Sequence, residues 1–332
     1  MSSSAKQDQG EEIRGLHVSG WGYGSSMFMR GRKRHDPQAA DPQRSVDESL
    51  IKGVPEHLEI PLRRWVMNVL QDDEVNAERV ALHLRLRVDT GRQEYSPAKF
   101  LAGGTTKEQL FDVINTMLHL SAPPERLSNG GRGPHTYRLD MGVIYGAPDR
   151  ETAIMALQDM LTLGGSAYRV NDARTGLELR VDATAQRAVA SALAASRNPQ
   201  RGSAADHMAT AWKCAYGRDP DPTKAYSEAI KAVEAAAQSL VEPNNAKATL
   251  GTMLGVIRNS PQRFATAIPA AGGGDDIALV ADMMRRLWQG QTSRHGSQNP
   301  TRHETQREAE MAVHLAATLV QWFAAGLIRR TP

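Results

Sequence analysis

Apolar residues recur at three- and four-residue spacing through most of the C-terminal half of the chain. This period is typical of amphipathic helices that bury one face. It predicts helices over residues 203–216, 223–240, 247–258 and 277–288, and a last helix that ends near Phe323. Thr301-x-x-Glu304 and Thr305-x-x-Glu308 are alternative capping boxes for that last helix. Short links between these helices favour an up-and-down bundle over residues 203–328.

Residues 149–200 show a helical period at both ends and short apolar runs between them. The pattern predicts helices over 153–163 and 183–195, and strands over 167–170 and 177–181 that are joined by the turn-rich segment 171–176. We therefore expect an α-β-β-α unit that is followed by a linker at 198–203.

Residues 56–148 are less regular and predict a small α+β domain. Helical spacing covers residues 58–70, and Thr105-x-x-Glu108 predicts the capped start of a second helix. Alternating apolar positions over 80–88 predict a strand, and a shorter extended segment is expected near 137–143. The order of these elements suits either a winged-helix DNA reader or an α+β adaptor.

Residues 1–55 combine Ser, Gly, Gln and Pro with charged residues and few apolar side chains. Such a segment cannot bury enough apolar surface to offset the entropy of ordering, so we expect a disordered tail. The basic cluster 30–35 in this tail suits either contact with nucleic acid or simple solvation. The predicted fold class is accordingly mainly α, with a C-terminal bundle, small α+β regions before it and a disordered N-terminal tail.

The composition excludes several classes of protein but does not indicate a function. The chain of 332 residues has a formal charge of +3 and one cysteine, Cys214, so no intrachain disulfide and no cysteine-built zinc site are expected. No apolar run approaches the roughly 20 residues that span a bilayer, and the first thirty residues lack the apolar centre of a signal peptide. We predict a cytoplasmic protein that contacts no membrane and needs no metal or cofactor.

A polar loop at 289–303 separates the last two predicted helices and contains Arg294, His295 and Gly296. A histidine can exchange a proton near neutral pH, and arginines bind phosphate through two hydrogen bonds. Arg302 also lies in this loop, Arg286 and Arg307 flank it, and Lys231 lies on an earlier helix. The loop suits RNA cleavage, nucleic-acid binding without chemistry, or a merely structural turn.

Four segments together resemble the C-terminal domain of bacterial abortive-infection proteins, a branch of the HEPN superfamily of helical nucleases and their inactive relatives. They are Ala225-Tyr-Ser-Glu-Ala-Ile-Lys-Ala-Val-Glu234, Thr249-Leu-Gly-Thr-Met-Leu254, Arg294-His-Gly296 and Glu308-Ala-Glu-Met-Ala-Val-His-Leu-Ala316. The resemblance covers about a third of the chain, from residue 220 to 326. It does not extend to residues 1–150.

This resemblance implies a helical bundle that pairs as a homodimer, with the polar motifs of both copies facing one cleft. It implies catalytic roles for Arg294 and His295, with Glu234 as their acidic partner. Active members resemble one another in carrying an arginine and then a histidine with four to six residues between them, whereas Arg286 is too far upstream of His295 and Arg294 is directly beside it. Arg307 and His314 do have six residues between them, but His314 lies inside the last helix, where we expect it in the core.

Three classes of function follow from these patterns. The first is a defence-related, metal-independent endoribonuclease in which His295 transfers protons while Arg294 and Arg286 hold phosphate. The second is a protein of the same fold that binds RNA, DNA or an acidic partner without cleaving it. The third is a sensor that joins an N-terminal recognition region to a C-terminal dimerisation bundle. In each class the apolar residues Trp322, Phe323, Leu327 and Ile328 predict a homodimer or a larger oligomer.

Overall fold

The computed structural model describes residues 50–71, 73–88, 96–121, 149–293 and 301–331. Helix dominates this part of the chain, and the strands are short and few, as expected for a mainly α protein. Residues 1–49 of the predicted tail, the extended segment near 137–143, and Arg294 with His295 lie outside the described residues. Residues 50–55 are described, and for them the predicted disorder is wrong, because the Ile51 N–H donates to the Gly165 carbonyl at 3.0 Å and Val54 is buried in the N-terminal apolar core.

The N-terminal region begins with four helices, of which the third is short and continues as a π-helical turn. They are α1 (Glu56–Leu70), α2 (Glu74–His83), α3 (Pro97–Lys99), which continues as a π-helical turn over Phe100–Gly104, and α4 (Lys107–Leu120). Thr106 caps α4, and it forms a reciprocal capping box with Gln109 rather than the predicted box of Thr105 and Glu108. Thr105 is buried instead, and its hydroxyl donates to the Leu101 carbonyl.

The strand predicted over 80–88 is wrong, because α2 continues through His83. Its buried residues are Asn76, Ala77, Val80 and Ala81, a helical spacing that fixes one face of α2 against the core. Leu82, which a strand would have buried, is 79% exposed. The apparent alternation of apolar residues therefore combines a helix end with the irregular segment that follows it.

The α-β-β-α elements are present as predicted. They are α5 (Arg150–Leu163), β1 (Tyr168–Val170), β2 (Leu177–Leu179) and α6 (Ala183–Ser196). The two strands are antiparallel, with Tyr168 opposite Leu179 and Val170 opposite Leu177. These elements are shared between two apolar cores, however. α5 and both strands pack with α1, α2 and α4, whereas α6 packs with the helices that follow it.

The second core belongs to the C-terminal bundle. It joins α6 to α7 (Ala204–Tyr216), α8 (Pro222–Val241), α9 (Leu250–Asn259), α10 (Ala278–Gly290) and α11 (Gln306–Ala324). α8 is central, and its buried face is rich in alanine, so that α7 and α11 can approach closely. Thr305, the second of the two predicted caps, begins α11 through a capping box with Glu308.

The last residues of the chain return to the bundle. β4 (Ile328–Arg330) pairs antiparallel with β3 (Phe264–Thr266), and Thr266 lies opposite Ile328. Phe323 and Ile328 are only 1% and 3% exposed, because they pack into the core of their own chain. These two buried side chains therefore do not support the predicted oligomer. Leu327 is 42% exposed and offers only a small apolar surface to a second copy.

Candidate functional site

An open cleft of about 740 Å³ runs along α8. The start of α9, the end of α10 and the residues just after α10 form its opposite wall. The lining residues of this α8 cleft are Asp221, Thr223, Lys224, Ser227, Glu228, Ile230, Lys231, Glu234, Thr249, Trp288, Gln291 and Ser293. Its volume lies within the range typical of ligand sites.

A close contact with α8 fixes the end of α10. The Tyr226 hydroxyl donates to the Leu287 carbonyl at 3.1 Å, and Gly290 permits this approach because a Cβ there would overlap the same hydroxyl. Burial of Tyr226, aided by the carboxylates of Glu304 and Glu308, raises its pKa to about 12. The phenol thus stays a neutral donor near pH 7, and the loop after α10 starts from a defined place.

Glu304 holds that loop from the other side. Its Oε1 accepts the backbone N–H groups of Thr292 at 2.8 Å and Ser293 at 2.9 Å, and both of its oxygens accept the Ser293 hydroxyl. The side chain is almost fully buried. Burial raises the pKa of Glu304, but the hydrogen bonds from Ser293 outweigh it and leave the pKa below its usual value. Glu304 is therefore an ionised anchor for residues 292 and 293.

Two further contacts hold the ends of the loop: one joins the segments before and after residues 294–300, and the other joins the later segment to α8. The Thr292 hydroxyl donates to the Arg302 carbonyl at 2.8 Å, and the Thr223 hydroxyl lies 3.4 Å from His303 Nδ1. Together with Glu304, these contacts form a neck that brings residues 292–293 and 302–304 together beside α8. The polar loop predicted from the sequence is thus fastened at both ends to one edge of the α8 cleft.

Glu234 and Lys231, the two site residues predicted on the earlier helix, both line the α8 cleft. Glu234 Oε1 accepts the Leu250 backbone N–H at 2.8 Å, so this carboxylate also caps the first turn of α9. Lys231 Nζ donates to Glu228 Oε1 at 2.8 Å, and His207 Nδ1 lies 2.6 Å from the other oxygen of Glu228. Burial raises the pKa of Glu228, yet its bonds to Lys231 and His207 bring the pKa below its usual value.

The three predicted phosphate-binding arginines lie outside the lining of the cleft. Arg286 is exposed on α10, and Arg307 is exposed in the first turn of α11. Arg302 donates to both oxygens of Glu308, at 2.7 and 2.5 Å, and so reinforces the cap of α11. These bonds lower the pKa of Glu308 to about 2. The structure therefore groups Lys231, Glu234 and the start of the loop, but not Arg302 and Arg307, along one surface.

His314 occupies the structural position expected of it. The Tyr216 hydroxyl lies 2.7 Å from His314 Nε2, and the Trp212 ring meets the imidazole edge-on at 6.2 Å between centroids. Burial lowers the pKa of His314. The residue is part of the contact between α11 and α7, two helical turns after the exposed Arg307.

Sequence reasoning missed Glu304, Trp288 and Lys224 as parts of this site. Glu304 is eleven and twelve residues from its partners, and a spacing of that kind has no local signature. Lys224 belongs to the same α8 stripe as Lys231, seven residues away, so helical periodicity could have found it. Trp288 fits the apolar stripe of α10 equally well, and only the packing shows that it borders the cleft.

Comparisons with family models, with curated proteins and with solved structures found no match to this chain. The described helices include none that is long and apolar enough to cross a bilayer. Within the same described ranges, His, Cys, Asp and Glu side chains form no cluster of three or more that could hold a metal ion. The half-buried thiol of Cys214 is free, and burial raises its pKa.

Proposed function

We propose that this protein binds RNA in the α8 cleft and cleaves it without a metal, as a HEPN-like effector of an abortive-infection defence. The observation that carries the proposal is the neck held by Glu304, which fastens both ends of the predicted catalytic loop beside the cleft. A fastened loop can present its polar side chains at a fixed place, which catalysis by proton transfer requires.

What supports a role for His295 beside the cleft is its position in the sequence. It follows Ser293 by two residues, and Ser293 lines the cleft. In the proposed reaction His295 accepts the proton of a ribose 2′-hydroxyl as that oxygen attacks the adjacent phosphorus. The bond from phosphorus to the 5′-oxygen of the next nucleotide breaks, and the leaving oxygen takes a proton from solvent, which gives a 2′,3′-cyclic phosphate and a 5′-hydroxyl. Arg294 would stabilise the charge on that phosphate, while Lys231 and Lys224 of the cleft hold the RNA backbone.

A second candidate is an RNA-binding scaffold of the same fold that does not cleave. Two observations favour it: one oxygen of Glu234 caps α9, and Lys231 is paired with Glu228. Glu234 and Lys231 thus both have structural roles that are independent of catalysis. In either case we propose a cytoplasmic protein that functions as a homodimer, so that the loops of two copies could serve one substrate.

The test separates cleavage from binding. Purified protein is incubated with tRNA and total RNA in the presence of EDTA, beside the variants His295→Ala and His303→Ala. His303 is the matched control, since it is an exposed histidine at the neck of the same loop with one weak hydrogen bond. We expect the wild type and His303→Ala to cleave RNA and His295→Ala to be inactive, with little change in melting temperature.

Retained cleavage by folded His295→Ala would reject the catalytic role of His295. If the wild type binds RNA and leaves it intact, the scaffold replaces the nuclease as the function. If the wild type neither binds nor cleaves RNA at low salt, both proposals fail.

A further inference from the structure

The wall of the α8 cleft combines one large aromatic side chain with two lysines. Trp288 is partly exposed and lines the cleft at the end of α10, opposite Lys224 and Lys231 of α8. Both lysines are exposed, and seven residues of helix separate them by about 10.5 Å along α8. An aromatic ring beside spaced cations is the usual composition of a surface that binds single-stranded nucleic acid.

The position of Trp288 depends on a glycine in α9. A Cβ at Gly251 would lie 2.8 Å from Trp288 Cζ2, 3.1 Å from Cε2 and 3.3 Å from Nε1. The indole therefore lies against the backbone of the first turn of α9, at a distance that any larger residue would disturb. This contact gives the ring a fixed orientation at the cleft wall, and a ring fixed in advance loses little entropy when a ligand stacks on it.

A matched position exists in the same helix. Gly255 lies one turn after Gly251, and a Cβ there would meet no atom within 4 Å. Glycine inside a helix is unfavourable relative to alanine, so helix propensity gives no reason for either residue. At Gly251 the reason is the indole, whereas at Gly255 the packing supplies none.

The charges of the cleft set the kind of ligand. Lys231 is paired with Glu228, which in turn contacts His207, and Glu234 is bonded to the Leu250 N–H. Lys224 is the exposed cation nearest the Asp221 end of the cleft. Asp221, Glu228 and Glu234 outnumber the two lysines of the lining, but each of these carboxylates already accepts a hydrogen bond within the protein. A ligand of this cleft therefore gains more from an apolar, stackable base than from its charge, and it brings only a few phosphates. The bases of a duplex are already stacked on each other, so that an aromatic wall offers them nothing.

We propose that the α8 cleft binds unpaired RNA by stacking a base on the Trp288 indole while Lys224 and Lys231 contact the flanking phosphates. This inference rests on the proposed RNA function, but it includes none of residues 294–300 and no cleavage step. It assigns Trp288 as a binding residue, and it assigns Gly251 as the residue that positions Trp288.

The test measures binding by fluorescence anisotropy of a labelled oligouridylate, with a second oligomer that carries abasic positions in its centre. A stacked base contributes enough that its loss weakens binding by about tenfold or more. We therefore expect the wild type to bind the abasic oligomer about tenfold more weakly than the intact one. Trp288→Leu should bind both oligomers equally and weakly, and Trp288→Phe should retain part of the preference.

The matched variants Gly251→Ala and Gly255→Ala distinguish displacement of the indole from a general loss of fold. Gly251→Ala should lose the preference for intact bases by displacing the indole, whereas Gly255→Ala should keep it and raise the melting temperature. Lys224→Gln and Lys231→Gln should weaken binding of both oligomers alike and reduce its dependence on salt.

Two results would overturn this inference in different ways. If the wild type binds intact and abasic RNA with equal affinity, or if Trp288→Leu keeps the preference, base stacking on Trp288 is wrong while RNA binding stands. If the wild type binds neither oligomer at low salt, the proposed function fails and the inference fails with it.

Discussion

Two glutamates, each almost fully buried, hold different parts of this molecule together. Glu178 lies on β2 at the contact between the two apolar cores and is 5% exposed. Glu304 lies at the neck of the polar loop and is 4% exposed. Burial alone would raise the pKa of both carboxyls. The pKa of Glu178 is indeed raised, whereas that of Glu304 is lowered.

The difference lies in the donors that surround each carboxylate. Glu178 receives Arg169 Nη2 at 2.5 Å and the Trp212 indole N–H at 3.1 Å. Burial, aided by the nearby carboxylate of Asp172, raises its pKa by more than these two partners lower it. Arg169 also donates to Asp172, and so its charge is shared. The carboxylate of Glu178 therefore loses solvation that its hydrogen bonds do not fully replace.

Glu304 instead receives two backbone N–H groups and a hydroxyl from residues 292 and 293. Backbone donors that converge on a carboxylate favour its ionised form without a neighbouring cation. The comparison teaches that the balance between lost solvation and fixed donors sets the direction of each pKa shift: the donors of Glu304 outweigh its burial, whereas those of Glu178 do not. It also separates their roles, since Glu178 joins two cores and Glu304 shapes a loop.

The largest expected effect is that of Glu304→Ala. The change leaves the N–H groups of Thr292 and Ser293 without their acceptor and removes the neck of the loop. Bonds to a charged group contribute about 1.5–3 kcal/mol each, and water can replace part of them, so we expect a loss of about 3 kcal/mol in the free energy of unfolding. Urea denaturation measures it, and RNA binding should weaken in the same variant.

Glu304→Gln is the graded control for that experiment. The amide keeps one oxygen that can accept from the loop but loses the charge, so its cost should be about half as large. An alanine variant as stable as the wild type would show that the neck contributes no stability and would remove the main support for a fastened loop.

A smaller effect is expected at the contact between the cores from Trp212→Phe. Phenylalanine retains most of the ring packing against Tyr216 but removes the N–H that reaches Glu178. An already costly buried carboxylate then loses a donor, so we expect a loss of about 1–2 kcal/mol in the free energy of unfolding.

Trp322→Phe supplies the comparison, since Trp322 is also partly buried against the C-terminal core. Its cost should be smaller, because within the described residues no carboxylate accepts a hydrogen bond from that indole. Equal losses in the two variants would mean that ring size, not the bond to Glu178, explains the effect.

The fold was predictable where each helix or strand turns only one side toward a core. The stripes of α8 and α11, and the sequence α5, β1, β2 and α6, follow from local spacing. The strand predicted over 80–88 failed because Ala77, Val80 and Ala81 carry the true burial pattern, and alanine is a weak apolar signal. The capping box of α4 was misplaced by one residue, since Thr105 and Thr106 are equivalent by pattern and differ only in burial.

The candidate site was predictable only in part, since its geometry depends on contacts between distant residues. The sequence indicated a polar loop and placed Glu234 and Lys231 on an earlier helix, and both line the cleft. It could not show that Glu304 closes the loop, that Gly251 receives the Trp288 indole, or that Arg302 is bound to Glu308. Each of these depends on how helices pack rather than on period or composition.

The smallest expected effect is a pH dependence of opposite sign at the two glutamates. The pKa of Glu178 in the folded protein lies above 4.5, so the folded state binds a proton there more readily than the unfolded state does. The stability contributed by this group is fully present below pH 4.5 and is lost as the pH rises through the raised pKa. For Glu304, whose folded pKa lies below 4.5, the contribution is present above pH 4.5 and is lost as the pH falls through the lowered pKa.

Unfolding of the wild type, Glu178→Gln and Glu304→Gln at pH values from 7 to 3.5 tests this contrast. Glutamine does not titrate, so the packing changes in each variant add a constant offset and only the slope against pH matters. Between pH 7 and 4.5 the wild type should gain stability relative to Glu178→Gln, whereas below pH 4.5 it should lose stability relative to Glu304→Gln. Two slopes of the same sign would contradict the distinction drawn from the donors, because both carboxyls would then respond to burial in the same way.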